Sequence, residues 1–134
     1  MVGHVLTRKK LLILDDNAPF SESLCDLLTQ QRFDARWATA ADQARAAAET
    51  TQPDLLIIDV NLGDHSGLEV AQQFWTSKLV TAIIFLTGKI DFDMSEVPVQ
   101  LKAISVVLHK PVDKETLLEA IAKLTPAAAA KQVL

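Results

Sequence analysis

Cysteine is almost absent from this chain: Cys25 stands alone, which excludes an internal disulfide framework and a multi-cysteine metal site. No apolar run approaches the roughly 20 residues of a membrane span, and the basic, His-containing start lacks the apolar core of a signal peptide. The expected setting is therefore the cytoplasm, without membrane insertion. Positive charge is not in excess either. With a formal net charge of -4, nothing global advertises direct nucleic-acid binding, and Arg8, Lys9 and Lys10 read as a solvated flank. Tyrosine is missing altogether. What remains is a chain of 134 residues, enough for one domain with a core that needs no staples. It divides into a flank over 1–9, a domain over 10–124 and an Ala-rich tail over 125–134, with no internal repeat and no interdomain linker.

Two hydrophobic periods alternate along the domain. Lys10 to Asp15 reads as a strand, with Leu11, Leu12, Ile13 and Leu14 unbroken by polar residues. From about Pro19 the pattern becomes helical through Phe20, Leu24, Leu27 and Leu28, with Cys25 beside that stripe as a small boundary side chain. Asp34 to Ala38 is polar enough for an edge strand. Thr39-Ala40-Ala41-Asp42 resembles a capping box before an Ala-rich helix ended by Pro53, and Asp54 to Asp59 is the third strand. Ser66-Gly67-Leu68-Glu69 reads as a second capping box, opening a helix whose apolar face takes in Leu68, Val70, Ala71, Phe74 and Trp75, all read as packing. Thr81 to Thr87 and Val106 to His109 supply strands four and five. Between them Pro98 restricts a fourth helix to about Glu96 to Ala103, capped by Ser95. Asp113 caps a last helix through Leu117, Leu118, Ile121 and Leu124.

Strands apolar on both faces, alternating with helices, imply an α/β fold: an open, doubly wound, five-stranded parallel sheet with helices on both sides. In such sheets function sits outside the carboxyl ends of the strands. There the sequence puts Asp15-Asp16 after strand one, Asp59 at the end of strand three, Thr87 at the end of strand four and Lys110-Pro111 after strand five. Three carboxylates at one edge repel and invite a cation. All-oxygen donors favour Mg2+ or Mn2+, and a divalent ion with Lys110 balances the three acids. A phosphoryl group on Asp59 would add about one further negative charge, for the metal and Lys110 to hold, with the Thr87 hydroxyl free to donate a hydrogen bond. Asp64 and His65 read as solvated loop residues, and alternation turns His109 away from this edge.

Asp15-Asp16, Asp59, Gly67, Thr87-Gly88 and Lys110-Pro111, in this order and spacing, resemble the receiver domain of two-component response regulators from about Lys10 to Leu124. The resemblance implies the flavodoxin-like strand order 2-1-3-4-5, which a chemotaxis receiver of this family also has. It implies that Asp59 accepts a phosphoryl group from a histidine kinase or histidine phosphotransfer protein. Asp16 and Asp59 would then be direct Mg2+ ligands, the backbone carbonyl of Asn61 a third, and Asp15 a ligand through water. Lys110 would contact the phosphoryl group, placed by a cis Lys110-Pro111 bond. Thr87 would be the switch hydroxyl, changing the surface of helix four, strand five and helix five.

The chain departs from the family pattern at three places. Val107 stands where an aromatic residue usually completes the switch, Pro98 shortens helix four, and Gly63 replaces a common proline. Asn61 and Lys89 occupy positions that tune phosphoryl lifetime in the family. The leading expectation is a stand-alone phosphoacceptor acting on a downstream protein target, because some 10 residues follow the last helix. A homodimer through the tail or an apolar part of helix four or five is a further expectation. The competing readings are a phosphorylation-independent receiver-like adaptor, motivated by Val107 and Pro98, and a haloacid-dehalogenase-like phosphohydrolase. The last usually carries a second acid two residues after the nucleophile, where this chain has Asn61.

Overall fold

A computed structural model describes residues 7–126. Its elements are β1 (Lys10–Leu14), α1 (Ala18–Gln30), β2 (Asp34–Ala38), α2 (Ala41–Thr51) and β3 (Leu55–Asp59), then the two-residue strands β4 (Asn61–Leu62) and β5 (His65–Ser66). After them come α3 (Gly67–Thr76), β6 (Ile83–Thr87), β7 (Ser105–His109) and α4 (Lys114–Leu124). The five long strands form one parallel sheet in the order β2-β1-β3-β6-β7. This is the expected 2-1-3-4-5 order, because β4 and β5 form a separate antiparallel ribbon and only displace the later numbers. β2 lies at one edge, as its polar composition requires.

Both faces of the sheet are covered, which explains the unbroken apolar runs. Leu12, Leu14, Leu56, Ile58, Ile83 and Phe85 point into a core shared with Ala44 and Ala48 of α2 and Val70, Ala71 and Phe74 of α3. Their neighbours Leu11, Ile13, Leu55, Ile57, Ile84 and Leu86 point the other way, onto Leu24 and Leu28 of α1 and Leu117, Ala120 and Ile121 of α4. Each fully buried Leu or Ile stabilises the fold by about 1.5–3 kcal/mol. Cys25 is the half-buried boundary residue expected, its thiol donating to the Ala35 carbonyl at 3.3 Å; burial pushes that thiol's pKa up.

Local signals fared unevenly. Asn17 caps α1 by accepting from the Phe20 amide, and Asp113 caps α4 by accepting from the Thr116 amide at 3.0 Å. The two capping boxes do not form. Ala40, with no side chain to offer, takes the cap position of α2, so Thr39 lies one residue too early. Ser66 does cap α3 by position, but its hydroxyl makes no cap bond: Ser66 belongs to the β4–β5 ribbon, opposite Asn61. Trp75 is 36 % exposed, beyond the buried face of Val70, Ala71 and Phe74, so it is not a core residue.

The expected fourth helix is replaced by two 3-10 segments, Met94–Glu96 and Val99–Ile104. Pro98 caps the second and forces Val97 into extended backbone, which cuts the helix in two. Ser95 lies inside the first segment, whose cap is Asp93. Residues 1–6 of the flank and 127–134 of the tail, with any dimer contact they make, lie outside the described residues.

Candidate functional site

Parallel pairing in register brings the strand ends together. Leu14 is level with Ile58, Asp59 with Leu86, and Thr87 with His109. Asp15, Asp59, Thr87 and Lys110, drawn from four strands, therefore meet at the carboxyl edge of the sheet. The Lys110-Pro111 bond is cis, as expected, and the Lys110 amide donates to the Thr87 carbonyl at 2.8 Å.

The Lys110 ammonium lies between two acids. It donates to Asp15 Oδ2 at 2.7 Å and to Asp59 Oδ2 at 2.6 Å, distances of strong charge-assisted bonds. The second oxygen of each acid is also held: Asp15 Oδ1 accepts from the Asn17 amide at 2.9 Å, and Asp59 Oδ1 from the Asn61 amide at 2.7 Å. The Thr87 hydroxyl oxygen accepts from the Lys89 amide at 3.0 Å, so its proton remains free to donate. Phe20, near the start of α1, lays its ring under the ammonium, 4.3 Å from Nζ to the ring centre.

Charge and burial set the electrostatics. Burial works against the Lys110 charge, but the hydrogen bonds it donates to Asp15 and Asp59 outweigh it and hold its pKa above the usual lysine value. The same ion pair does not bring Asp15 down. That residue is 1 % exposed, and its desolvation exceeds the help from Lys110 and the Asn17 amide, so its pKa lies above the ordinary carboxylate value.

The edge opens into a cleft of about 830 Å³ lined by Asp15, Asp16, Asp59, Asn61, Thr87 and Lys110 among others. Every sequence-derived site residue thus lines one cavity. Asp64 and His65, read as solvated, form part of its wall, as does Lys89. His109 faces elsewhere, its Nε2 2.9 Å from the Phe92 carbonyl. Asn17 and Phe20 are site residues that the sequence does not mark, because a helix cap and a core aromatic carry no chemical motif. Gly67 is legible only through resemblance. A Cβ on it would fall 2.0 Å from the Asp59 carbonyl oxygen, so α3 can start against the end of β3 only with glycine there.

The donor set suits the cation expected from sequence. Among the described residues no three His, Cys, Asp or Glu side chains gather as a metal cluster, but Mg2+ is commonly held by one or two carboxylates with water. Asp16, Asp59 and Asn61 line the cleft and could supply hard oxygen donors of that kind. Gly63, at φ +73, leaves Asp16 uncovered on this side: a Cβ there would touch Asp16 Oδ2 at 3.4 Å.

Residues 11–122 match the family model of the response regulator receiver domain. Over 113 residues, 84% of this chain and 58% of the relative, the sequence is 33% identical to the acid tolerance regulatory protein ActR of Sinorhizobium medicae. Over 81 residues, 60% of this chain and 34% of the relative, it is 36% identical to the alkaline phosphatase synthesis transcriptional regulatory protein PhoP of Bacillus subtilis. The chain thus spans between a third and three-fifths of the length of these curated relatives. Among solved structures, the signal receiver domain of an HD domain-containing protein from Pseudomonas fluorescens superposes with a TM-score of 0.80 at 23% identity, covering 92% of this chain and 99% of that one. Among the described residues no helix is long and apolar enough to cross a membrane.

Proposed function

Because the chain belongs to the response regulator receiver domain family of two-component signalling, whose members are switches rather than classical enzymes, we propose that it is a phosphoacceptor modified on Asp59. The carrying observation is the Lys110 ammonium bonded to both Asp15 and Asp59 at the head of an open cleft. A histidine kinase or histidine phosphotransfer protein is the donor, a downstream protein the receiver of the signal, and the cytoplasm the setting. The reading needs neither direct nucleic-acid contact nor membrane insertion. The receiver domain is residues 10–124, between the flank 1–9 and the tail 125–134.

In this mechanism an Asp59 carboxylate oxygen forms a bond to phosphorus as the phosphorus–nitrogen bond of a phosphohistidine breaks, returning its electron pair to the imidazole. Lys110 then exchanges its Asp59 oxygen for a phosphoryl oxygen while keeping Asp15, so the ammonium stays at the developing charge. Thr87 supplies its free hydroxyl proton to a second phosphoryl oxygen. Mg2+ or Mn2+, held by Asp16, Asp59 and the Asn61 backbone carbonyl with Asp15 through water, would neutralise phosphoryl charge. Incubation with Mg2+ and acetyl phosphate is expected to add one phosphoryl group by intact mass, and Asp59→Asn to abolish it. An unmodified wild type, or modification surviving in Asp59→Asn, would overturn the reading.

The region after β6 favours a second reading, a phosphorylation-independent adaptor. Thr87 has no aromatic partner at Val107, and 3-10 turns stand where a switch helix was expected. A partner affinity unchanged by beryllofluoride would decide for the adaptor, and a changed one for the switch. A homodimer falls within either reading.

A further inference from the structure

We propose that Phe20 is a positioning residue for Lys110, holding the ammonium through the face of its ring while the hydrogen-bond partners of that ammonium change. The inference rests on the phosphoacceptor reading and deepens it. An ammonium has three N–H donors, and two are committed to Asp15 and Asp59. The Phe20 ring centre lies 4.3 Å from Nζ, well inside the roughly 6 Å over which a cation is attracted to a ring face. That attraction differs in kind from the two ion pairs. It brings no acceptor to compete with an incoming phosphoryl oxygen, adds no negative charge to a site rich in it, and is spread over the ring face. The ammonium can therefore slide from an Asp59 oxygen to a phosphoryl oxygen without leaving the ring.

The ring is fixed to the same frame as the acids. Phe20 donates its amide to Asn17 Oδ1 at 3.1 Å, and Asn17 donates its own amide to Asp15 Oδ1 at 2.9 Å. Ser21, fully buried, donates its hydroxyl to the Asp15 carbonyl at 3.0 Å. Three bonds thus lock the first turn of α1 onto the residue that Lys110 also grips. Lys110 comes instead from the loop after an edge strand, on a flexible four-carbon stem, so a fixed ring adds most where the lysine is least constrained. Phe20 also packs against the α1–α4 core, yet it is only half-buried.

The test compares Phe20→Leu, which keeps apolar bulk and removes the ring face, with Phe20→Trp, which keeps a face. Three quantities are read on the full chain: the melting temperature, the ring-current shift of the Lys110 ε-methylene protons by NMR without phosphoryl donor, and the phosphorylation rate with Mg2+ and acetyl phosphate. Phe20→Leu should move the Lys110 resonances toward free-lysine values and slow phosphorylation about threefold to thirtyfold, the range of a cation–π contact from exposed to desolvated settings. Phe20→Trp should retain both the shift and the rate, at whatever melting temperature each variant shows. An unmoved Lys110 resonance in Phe20→Leu, or a rate equal to wild type, would overturn the positioning role. Should the wild type take up no phosphoryl group, the function proposed above fails, while the NMR comparison still decides whether the ring holds the lysine.

Discussion

Two connections leave neighbouring strands of this sheet and could hardly be built less alike. After β3 the chain is pinned at nearly every step: the Asn61 amide to Asp59, the Gly63 amide to Asn61, the β4–β5 ribbon across the loop, and the Gly67 amide to the Val60 carbonyl. After β6 it runs through two short 3-10 segments, held by the buried Phe92, Val97 and Leu101 but presenting Ile90 at 93 % and Val99 at 75 % exposure. The first connection sets the position of Asp59. The second carries apolar surface outward. Under the proposed function, chemistry at Asp59 tolerates little movement, whereas a surface that meets a partner is free to vary; of the three departures from the family pattern, Pro98 and Val107 fall in or beside the second connection and Gly63 in the first.

The contrast can be broken most directly at Gly67. Gly67→Ala puts a Cβ against the Asp59 backbone, and we expect a loss of stability of about 2–3 kcal/mol by chemical denaturation. The matching change Gly88→Ala meets nothing within 4 Å and should stay within about 0.5 kcal/mol of wild type. Equal losses at both glycines would erase the distinction between the connections.

A middle-sized effect concerns pH. Lys110 has a raised pKa in the folded state, so the folded protein binds the proton more tightly than the unfolded chain. Its contribution is fully present below the ordinary lysine value of 10.5 and is lost as pH climbs from there through the folded pKa. Asp15 is also raised, so its ionisation works against folding as pH rises from 3.8 through its folded value. Urea titrations across the alkaline range should show the loss in wild type and not in Lys110→Met. Asp15→Asn should remove the acidic component, checked by the same urea titrations carried into the acidic range.

The smallest effect sharpens the other side. Ile90→Ser and Val99→Ser remove exposed side chains, so stability and phosphorylation should both match wild type, the former within about 0.5 kcal/mol. Under the proposed function, partner binding is where these variants should differ, by titration against the downstream protein it calls for.

Legibility in the sequence follows the same division. Runs such as Leu11 to Leu14 and Leu55 to Ile58 can only be strands covered on both faces, and the acids that end them must share an edge once the sheet is parallel. The β4–β5 ribbon is invisible in the sequence, because two-residue strands have no period to read. Thr39 and Ser66 look like caps locally, but the cap of α2 falls one residue later, at Ala40, and Ser66 is held in the β4–β5 ribbon. Trp75 is apolar yet lies beyond the buried stripe of α3. Pro98 signals that no long helix can form here, but the expected helix from Glu96 to Ala103 is itself absent, since the pre-proline backbone at Val97 breaks it into two 3-10 segments. Phe20 reads as core, and nothing local indicates that its ring lies beneath a lysine from the far end of the domain.

The hydrogen bond between Lys110 and Asp15 joins residues 95 positions apart. During synthesis, a nascent chain can shape its first strands and expose Asp59 long before Lys110 leaves the ribosome. Such a chain has the Asp59 carboxylate without the Lys110 ammonium, and the two acids face each other uncompensated. Under the proposed function, a chain in which β7 has not yet docked lacks the ammonium at Asp59, so uptake of a phosphoryl group would follow completion of the sheet.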